Sequence, residues 1–307
     1  MVVIPEPIRL SGVLTPPLIA EAVTHFHRDG IVVLSNAIDP SHISILNAVL
    51  SHEAHEIADD PFHHFNFGTQ TRNMDQAPPV RAELMFKDVW ANPFAAAVLA
   101  AMLGPRPVIH YANGNTALKA EAGGRQPVHS DVEFVHPTFP FAVVVNISLV
   151  DVGFENGATE VWVGSHRGSS VEQHVEDSHG GRLLEIKEEF LRERRAHSPP
   201  VRACTRKGSL VLRDLRLWHA GMPNRTEEPR VMLAFVAQPA WYQGRSKVIL
   251  PESVRELVEG WEEDFGFRVH WVQGEVDHKK ISSEDVDFDT ENQGLLGLRH
   301  LMHLPEH

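Results

Sequence analysis

The stretch QPVHSDVEF, residues 126–134, sets His129 and Asp131 one residue apart just ahead of an apolar run. An imidazole nitrogen and a carboxylate oxygen grip one divalent cation only if both side chains leave the chain on the same side. In an extended backbone residues i and i+2 share a face, so this spacing puts both donors at one corner of an ion, with Ser130 turned away. The pattern alone is weak: with 20 histidines in the chain, chance supplies about one His-x-Asp. The other occurrence, His27-Arg28-Asp29, lies in a helical pattern ended by Gly30. Residues two apart on a helix point about 200° from each other, so that pair reads as a solvated helix end. A second histidine from a neighbouring strand would complete the two-histidine, one-carboxylate face that suits non-haem iron and leaves positions open for substrate and oxygen. His219 is the candidate, between the run SLVLRDLRLW and a turn-rich loop. That loop leads to Arg230, which opens RVMLAFVA. Read as an antiparallel hairpin, the two strands bring His219 and Arg230 close together. A buried guanidinium facing a metal calls for an anion, and a dicarboxylate held by paired hydrogen bonds would supply it.

Other residues of chemical type read more plainly. His52 with Glu56 and His55 with Asp59 stand at i, i+4 spacing but lack the His-Glu-x-x-His order of zinc proteases, and read as a charged helix end. In ENGATEVWVGSH the pair Asn156-Gly157 suits a tight turn. His166 reads as part of a scaffold loop, with a ligand role as its alternative. Trp218 alternates with His219 and is expected to pack in the sheet. Lys207, Arg213 and Arg216 read as exposed charge, and Cys204 as passive. The segment 60–82 is rich in aromatics, Asn, Gly and Pro without periodicity, the texture of a long ordered loop that carries function. From it Phe65, Phe67, Arg72, Asn73 and Gln76 are candidates to line a substrate mouth.

The elements that must position these groups change character along the chain. Helical spacing is expected over 15–29, about 41–58 and 92–103, with a strand at IVVLSNAI. From 106 onward short β-branched runs alternate with turn residues, the signature of an antiparallel sandwich or barrel. The expected organisation is a single domain over 1–307, mainly β with flanking α. A helical part spans 15–103, a barrel core about 106–240, and a C-terminal extension 250–307. The insertion 169–200 is expected to hold a short helix in LLEIKEEFLRERR. The tail is expected to hold a helix in PESVRELVEGWEEDF, then a loose acidic segment over 274–292. A net charge of −13 disfavours nucleic acid and anionic membrane as partners. One cysteine, no basic-then-apolar leader and no long apolar run make a cytoplasmic globular protein the expectation, with homodimer formation left open.

Taken together, His129-x-Asp131, ENGATEVWVGSHR, His219 and Arg230 eleven positions later resemble the phytanoyl-CoA dioxygenase family of iron- and 2-oxoglutarate-dependent oxygenases. FHRDGIVVLSNAIDPSHISILN looks like that family's opening helix-strand-helix, and QPVHSD and VWVGSHR read like its fungal natural-product branch. The resemblance covers roughly 15–240. It implies a double-stranded β-helix, a cupin-like jelly roll, with helices outside. It also implies Fe(II) on His129, Asp131 and His219, 2-oxoglutarate with its far carboxylate on Arg230, and O2 as oxidant. Gln126 is a candidate for the cosubstrate's other end. Halogenating members replace the aspartate with a small residue, so Asp131 points away from halogenation. The expected reaction is oxidation of an unactivated C–H bond, by hydroxylation or by desaturation or cyclisation. The expected substrate is a neutral or zwitterionic small molecule of secondary metabolism. An acyl-CoA is the alternative substrate. A non-catalytic cupin-like metal-binding module and a zinc hydrolase are the alternatives of other classes.

Overall fold

Helix punctuation in the sequence does the work expected of it. Pro16 opens the helix Pro16–Asp29, and Gly30 closes it at φ 79°, a left-handed conformation. Asp39 caps Pro40–Ala58 by accepting from the Ser41 backbone N–H, and Asn92 caps Pro93–Leu103 by accepting from Phe94 and Ala95. All three helices fall where spacing places them. The computed structural model describes residues 1–120, 123–179, 181–283 and 286–289.

The helices cover one face of an eight-stranded sheet. Its order is Val2–Val3, Ile31–Ser35, Leu210–Asp214, Val143–Ser148, Met232–Gln238, Val108–Ala117 and Gly266–Phe267, with Asn73–Asp75 also paired to Val108–Ala117. The central pairings are antiparallel. The two-residue period decides which side chain goes where. Val143, Val145, Ile147, Leu210, Leu212, Leu233 and Phe235 face the helices and join Phe26, Leu46, Trp90 and Phe94 in the main core. Val144, Asn146, Arg213, Ala234 and Val236 take the opposite face and line a cavity.

A smaller sheet closes that cavity from the other side. Val201–Arg202, Glu160–Val161 and His219–Ala220 pair antiparallel. His129 bridges His219 on one side and Glu185 on the other, which joins the hairpin His174–Glu176 with Arg182–Ile186 to the same layer. Two facing sheets with helices outside one of them form the antiparallel sandwich that the strand pattern implies and the jelly roll that the resemblance implies.

Three expectations need correction. Only the second half of LLEIKEEFLRERR is helical, as Glu188–His197; Arg182–Ile186 is a strand that alternates outward and inward until Ile186 buries. The segment over 274–292 is docked through its described part to residue 289. His278 is buried against Glu53 at 2.8 Å, and Ser283 bonds Asp75. Residues 284–285 and 290–292 lie outside the described residues. The helix expected in PESVRELVEGWEEDF shrinks to Arg255–Glu259, because Val248–Pro251 instead pairs parallel with Val269–Val272.

Candidate metal centre and active-site cavity

His129 and His219 are antiparallel partners. Each backbone N–H donates to the other's carbonyl, at 2.9 and 2.8 Å, so the two imidazoles start from adjacent strands. Their ring centroids lie 4.1 Å apart. Asp131 is fixed by its own N–H to the Leu215 carbonyl, and its Oδ1 lies 3.8 Å from His129 Nε2 and 3.7 Å from His219 Nε2. One donor atom from each residue falls within 4.8 Å of the others, the only such group of three among the described residues. In both imidazoles Nδ1 faces a backbone carbonyl, Pro127 at 2.9 Å and Leu217 at 3.1 Å. A carbonyl only accepts, so at His129 Nδ1 carries the proton and Nε2 keeps its lone pair toward the gap; at His219 Nδ1 faces both the Leu217 carbonyl and, at 3.3 Å, the donor Nη1 of Arg213, and the shorter carbonyl contact favours the same tautomer. Burial pushes both imidazoles below the ordinary histidine range, which keeps them neutral. Two neutral nitrogens and a carboxylate oxygen fit an iron(II) ion facing an open cavity.

Arg213 is the residue that sequence reasoning missed. Its side chain is 9% exposed, and Nη2 donates to Asp131 Oδ2 at 2.7 Å. Burial alone would raise Asp131, but the charge of Arg213, followed by the two imidazoles, wins and holds its carboxyl down at about 2. Oδ2 is therefore occupied, and Oδ1 is the oxygen turned to the imidazoles. The alternation in LVLRD carried the signal, since it puts Arg213 on the face opposite Leu210 and Leu212. Arg216 is likewise buried rather than exposed. It forms a two-toothed pair with Asp214 at 2.6–2.8 Å and donates to the Pro137 carbonyl. This fixes the turn that delivers His219.

Arg230 enters the same cavity from the other sheet. It exchanges backbone bonds with Ala117, not with the His219 strand, so the two are not hairpin neighbours. They meet because opposite sheets enclose one space, whereas adjacency in sequence suggested a hairpin. Arg230 is 2% exposed and its Nε has no partner. The remaining contacts are long, 3.5 Å to Asn73 Oδ1 and 3.6 Å to Met232 Sδ. Burial pulls it down to about 10, which still leaves it charged at neutral pH. An unsatisfied buried guanidinium is costly, and a carboxylate would satisfy it. Gln126 also lines the cavity, with Oε1 accepting from the Gly221 N–H at 2.7 Å.

The cavity measures about 580 Å³. Of the loop candidates, Phe67 and Asn73 line it, and the Phe67 ring lies 4.5 Å from that of His129. The other three do not line it. Gln76 is spent on the Leu50 carbonyl and the Thr116 hydroxyl. Phe65 packs with Ile57, Met74 and Leu118, and the Arg72 guanidinium sits over the Phe65 ring. His166 is confirmed as scaffold, with its ring toward the His27 carbonyl. Trp218 packs beside Trp162. The far wall was not anticipated: Ser283, Val286, Asp287 and Phe288 close it, with the Phe288 ring 5.4 Å from Tyr111.

Comparison with known proteins agrees with this fold. Solved structures of similar fold include the epimerase SnoN with Fe3+, alpha ketoglutarate and nogalamycin RO. It is 21% identical with a TM-score of 0.55, covering 74% of this chain and 85% of that one. EctD from S. alaskensis with 2-oxoglutarate and 5-hydroxyectoine is 23% identical with a TM-score of 0.52, covering 71% and 75%. The carbocyclase SnoK from nogalamycin biosynthesis is 16% identical with a TM-score of 0.56, covering 85% and 95%. Identities this low carry the fold. Residues 26–232 match the sequence model of the phytanoyl-CoA dioxygenase (PhyH) family. That span takes in the triad, Arg213, Arg230 and most of both sheets, and the chain therefore belongs to the phytanoyl-CoA dioxygenase family of iron- and 2-oxoglutarate-dependent oxygenases.

Proposed function

We propose that this oxygenase oxidises an unactivated C–H bond of a small organic molecule, with His129, Asp131 and His219 as the iron ligands and Arg230 as the anchor of 2-oxoglutarate. One observation carries the reading: the three donor atoms converge in the same cavity as a buried guanidinium whose Nε has no partner. Bound there, iron and 2-oxoglutarate supply the power to activate O2 and remove a substrate hydrogen.

The chain's own part is positional and electrostatic. His129 and His219 present neutral Nε2 atoms because backbone carbonyls hold the opposite nitrogen protonated. Arg213 holds Asp131 so that Oδ1 faces the imidazoles. Arg230 offers an unsatisfied cation across the cavity for a carboxylate. Gln126 supports the cosubstrate's other end through its amide, whose oxygen is fixed by Gly221. The apolar walls, Val144, Leu215 and Val236, keep bulk water from the reacting carbon. The main core runs from Val2 to Phe265 through helices and sheet alike, which supports one domain. The charge of −13, with no helix among the described residues long and apolar enough to cross a membrane, supports a cytoplasmic enzyme of small molecules with no nucleic-acid partner.

The test is succinate release from 2-oxoglutarate with added Fe(II), beside direct 2-oxoglutarate binding by calorimetry. The wild type is expected to do both, and Arg230→Ala to lose most 2-oxoglutarate affinity while keeping metal binding. A folded wild type that binds metal but neither binds nor decarboxylates 2-oxoglutarate would instead be a binding module.

A further inference from the structure

Building on the oxygenase reading above, we infer that the substrate carries a cationic nitrogen on an aromatic or otherwise flat body, and that Asp75 and Glu133 receive that nitrogen beside Ser283, Asp287 and Phe288.

The cavity lining carries two chemically opposite sets of groups. In the first, Arg213 and Arg230 stand with Asn146, Thr159 and Met232, and these residues continue into a narrow recess between the sheets. The second comprises Asp75, Glu133 and Asp287, with the rings of Tyr111, Phe134 and Phe288. Ser283 is tied to this set, since its N–H and hydroxyl donate to Asp75 Oδ2 at 2.7 and 2.6 Å. Both cavity-lining guanidiniums are already committed, Arg213 to Asp131 and Arg230 to the cosubstrate. None is left for an anionic substrate.

The carboxylates of the second set are differently placed. Arg245, which does not line the cavity, offsets Asp287 at 2.7 Å. Among the described residues, neither Asp75 nor Glu133 has a cation within ion-pair distance. Asp75, buried but lining the cavity, and half-buried Glu133 stand beside three aromatic rings, a place where an ammonium gains both charge pairing and contact with a ring face. The same groups would repel an acyl-CoA, whose phosphates and thioester tail would have to pass them. Ser283, Val286, Asp287 and Phe288 lie outside the family-matched span 26–232, whereas Asp75, Tyr111, Glu133 and Phe134 lie within it.

The experiment uses three probes with one shared body: phenethylammonium, its neutral N-acetyl derivative, and 3-phenylpropionate. A matching indole series covers a larger ring. Binding is read by calorimetry and saturation-transfer NMR on the full chain with Ni(II) and 2-oxoglutarate, so that no turnover is needed. The ammonium is expected to bind at least about tenfold tighter than the neutral and anionic probes. That preference is expected to collapse in Glu133→Gln and Asp75→Asn. Asp75 also anchors Ser283, so Glu133→Gln, which leaves that bond intact, decides if Asp75→Asn is misfolded. Equal or tighter binding of the carboxylate, an ammonium preference unchanged in Glu133→Gln, or no binding by any member of either series overturns the inference. 2-Oxoglutarate binding without probes separates the two readings. Ammonium binding without 2-oxoglutarate binding removes the oxygenase reading and leaves the cation site. 2-Oxoglutarate binding with no charge preference removes the cation site alone.

Discussion

At the scale of single residues, the ligand set rests on hydrogen bonds that fix each donor's direction. Two imidazoles have their tautomers chosen by backbone carbonyls, and one carboxylate has its second oxygen chosen by Arg213. Partners of metal ligands typically influence affinity by about 10–100-fold. Arg213→Gln is therefore expected to weaken Co(II) or Fe(II) binding by about tenfold or more. Arg213→Lys should recover part of it, since a lysine restores the charge but not the planar fork. Losing the guanidinium also lets the Asp131 carboxyl rise from about 2, so the deficit should widen as the metal titration moves from pH 7 toward acid. A titration in which both variants match the wild type at every pH would show that Arg213 is not what aims Asp131. Arg213 was open to inference from strand alternation. Arg230's opposite-sheet origin was not, because a hairpin and a jelly-roll crossing have the same local sequence.

At the scale of elements, the inner strands must run close together to enclose the site, and Gly114 marks the tightest crossing. A Cβ there would come within 2.5 Å of the Gln76 carbonyl and 2.7 Å of the Met232 carbonyl, both backbone atoms with little freedom to move. Gly114→Ala is expected to cost about 1–3 kcal/mol by overpacking, read as a drop in chemical-denaturation midpoint. No loss would mean that the strands can part at no cost. Elements of this kind were partly legible. Asp39-Pro40, Asn92-Pro93 and Gly30 announce three helix ends, and the run VVVNIS announces a strand buried on both faces. The strand Arg182–Ile186 was not legible, because LLEI also fits a helical register and only its pairing with His174–Glu176 and its bridge to His129 select the extended form.

At the scale of the whole molecule, stability and shape both depend on buried charge. His110 is 1% exposed, neither ring nitrogen has a partner, and burial followed by the charge of Arg268 lowers it to about 3. Its folded value lies below its unfolded value of 6.5, so its stabilising contribution is complete above pH 6.5 and is lost as pH falls from there toward about 3. The loss approaches about 1.4 kcal/mol per pH unit. His110→Leu is expected to flatten the acid side of the melting-temperature profile, and an unchanged slope would assign the acid sensitivity elsewhere. Much of the site could be read from sequence, but the residues that close the cavity could not, since Ser283, Val286, Asp287 and Phe288 belong to no motif. Both imidazoles ride on the smaller sheet and Arg230 on the larger, so the reach from ion to guanidinium is a matter of how two layers stack. Facing sheets keep a spacing of about 10 Å because their side chains interlock. With Arg230 as the proposed anchor, the barrel would act as a fixed-jaw gauge for keto diacids: oxaloacetate is expected to be too short and 2-oxoadipate too long to seat at both jaws, so that neither displaces 2-oxoglutarate in competition calorimetry.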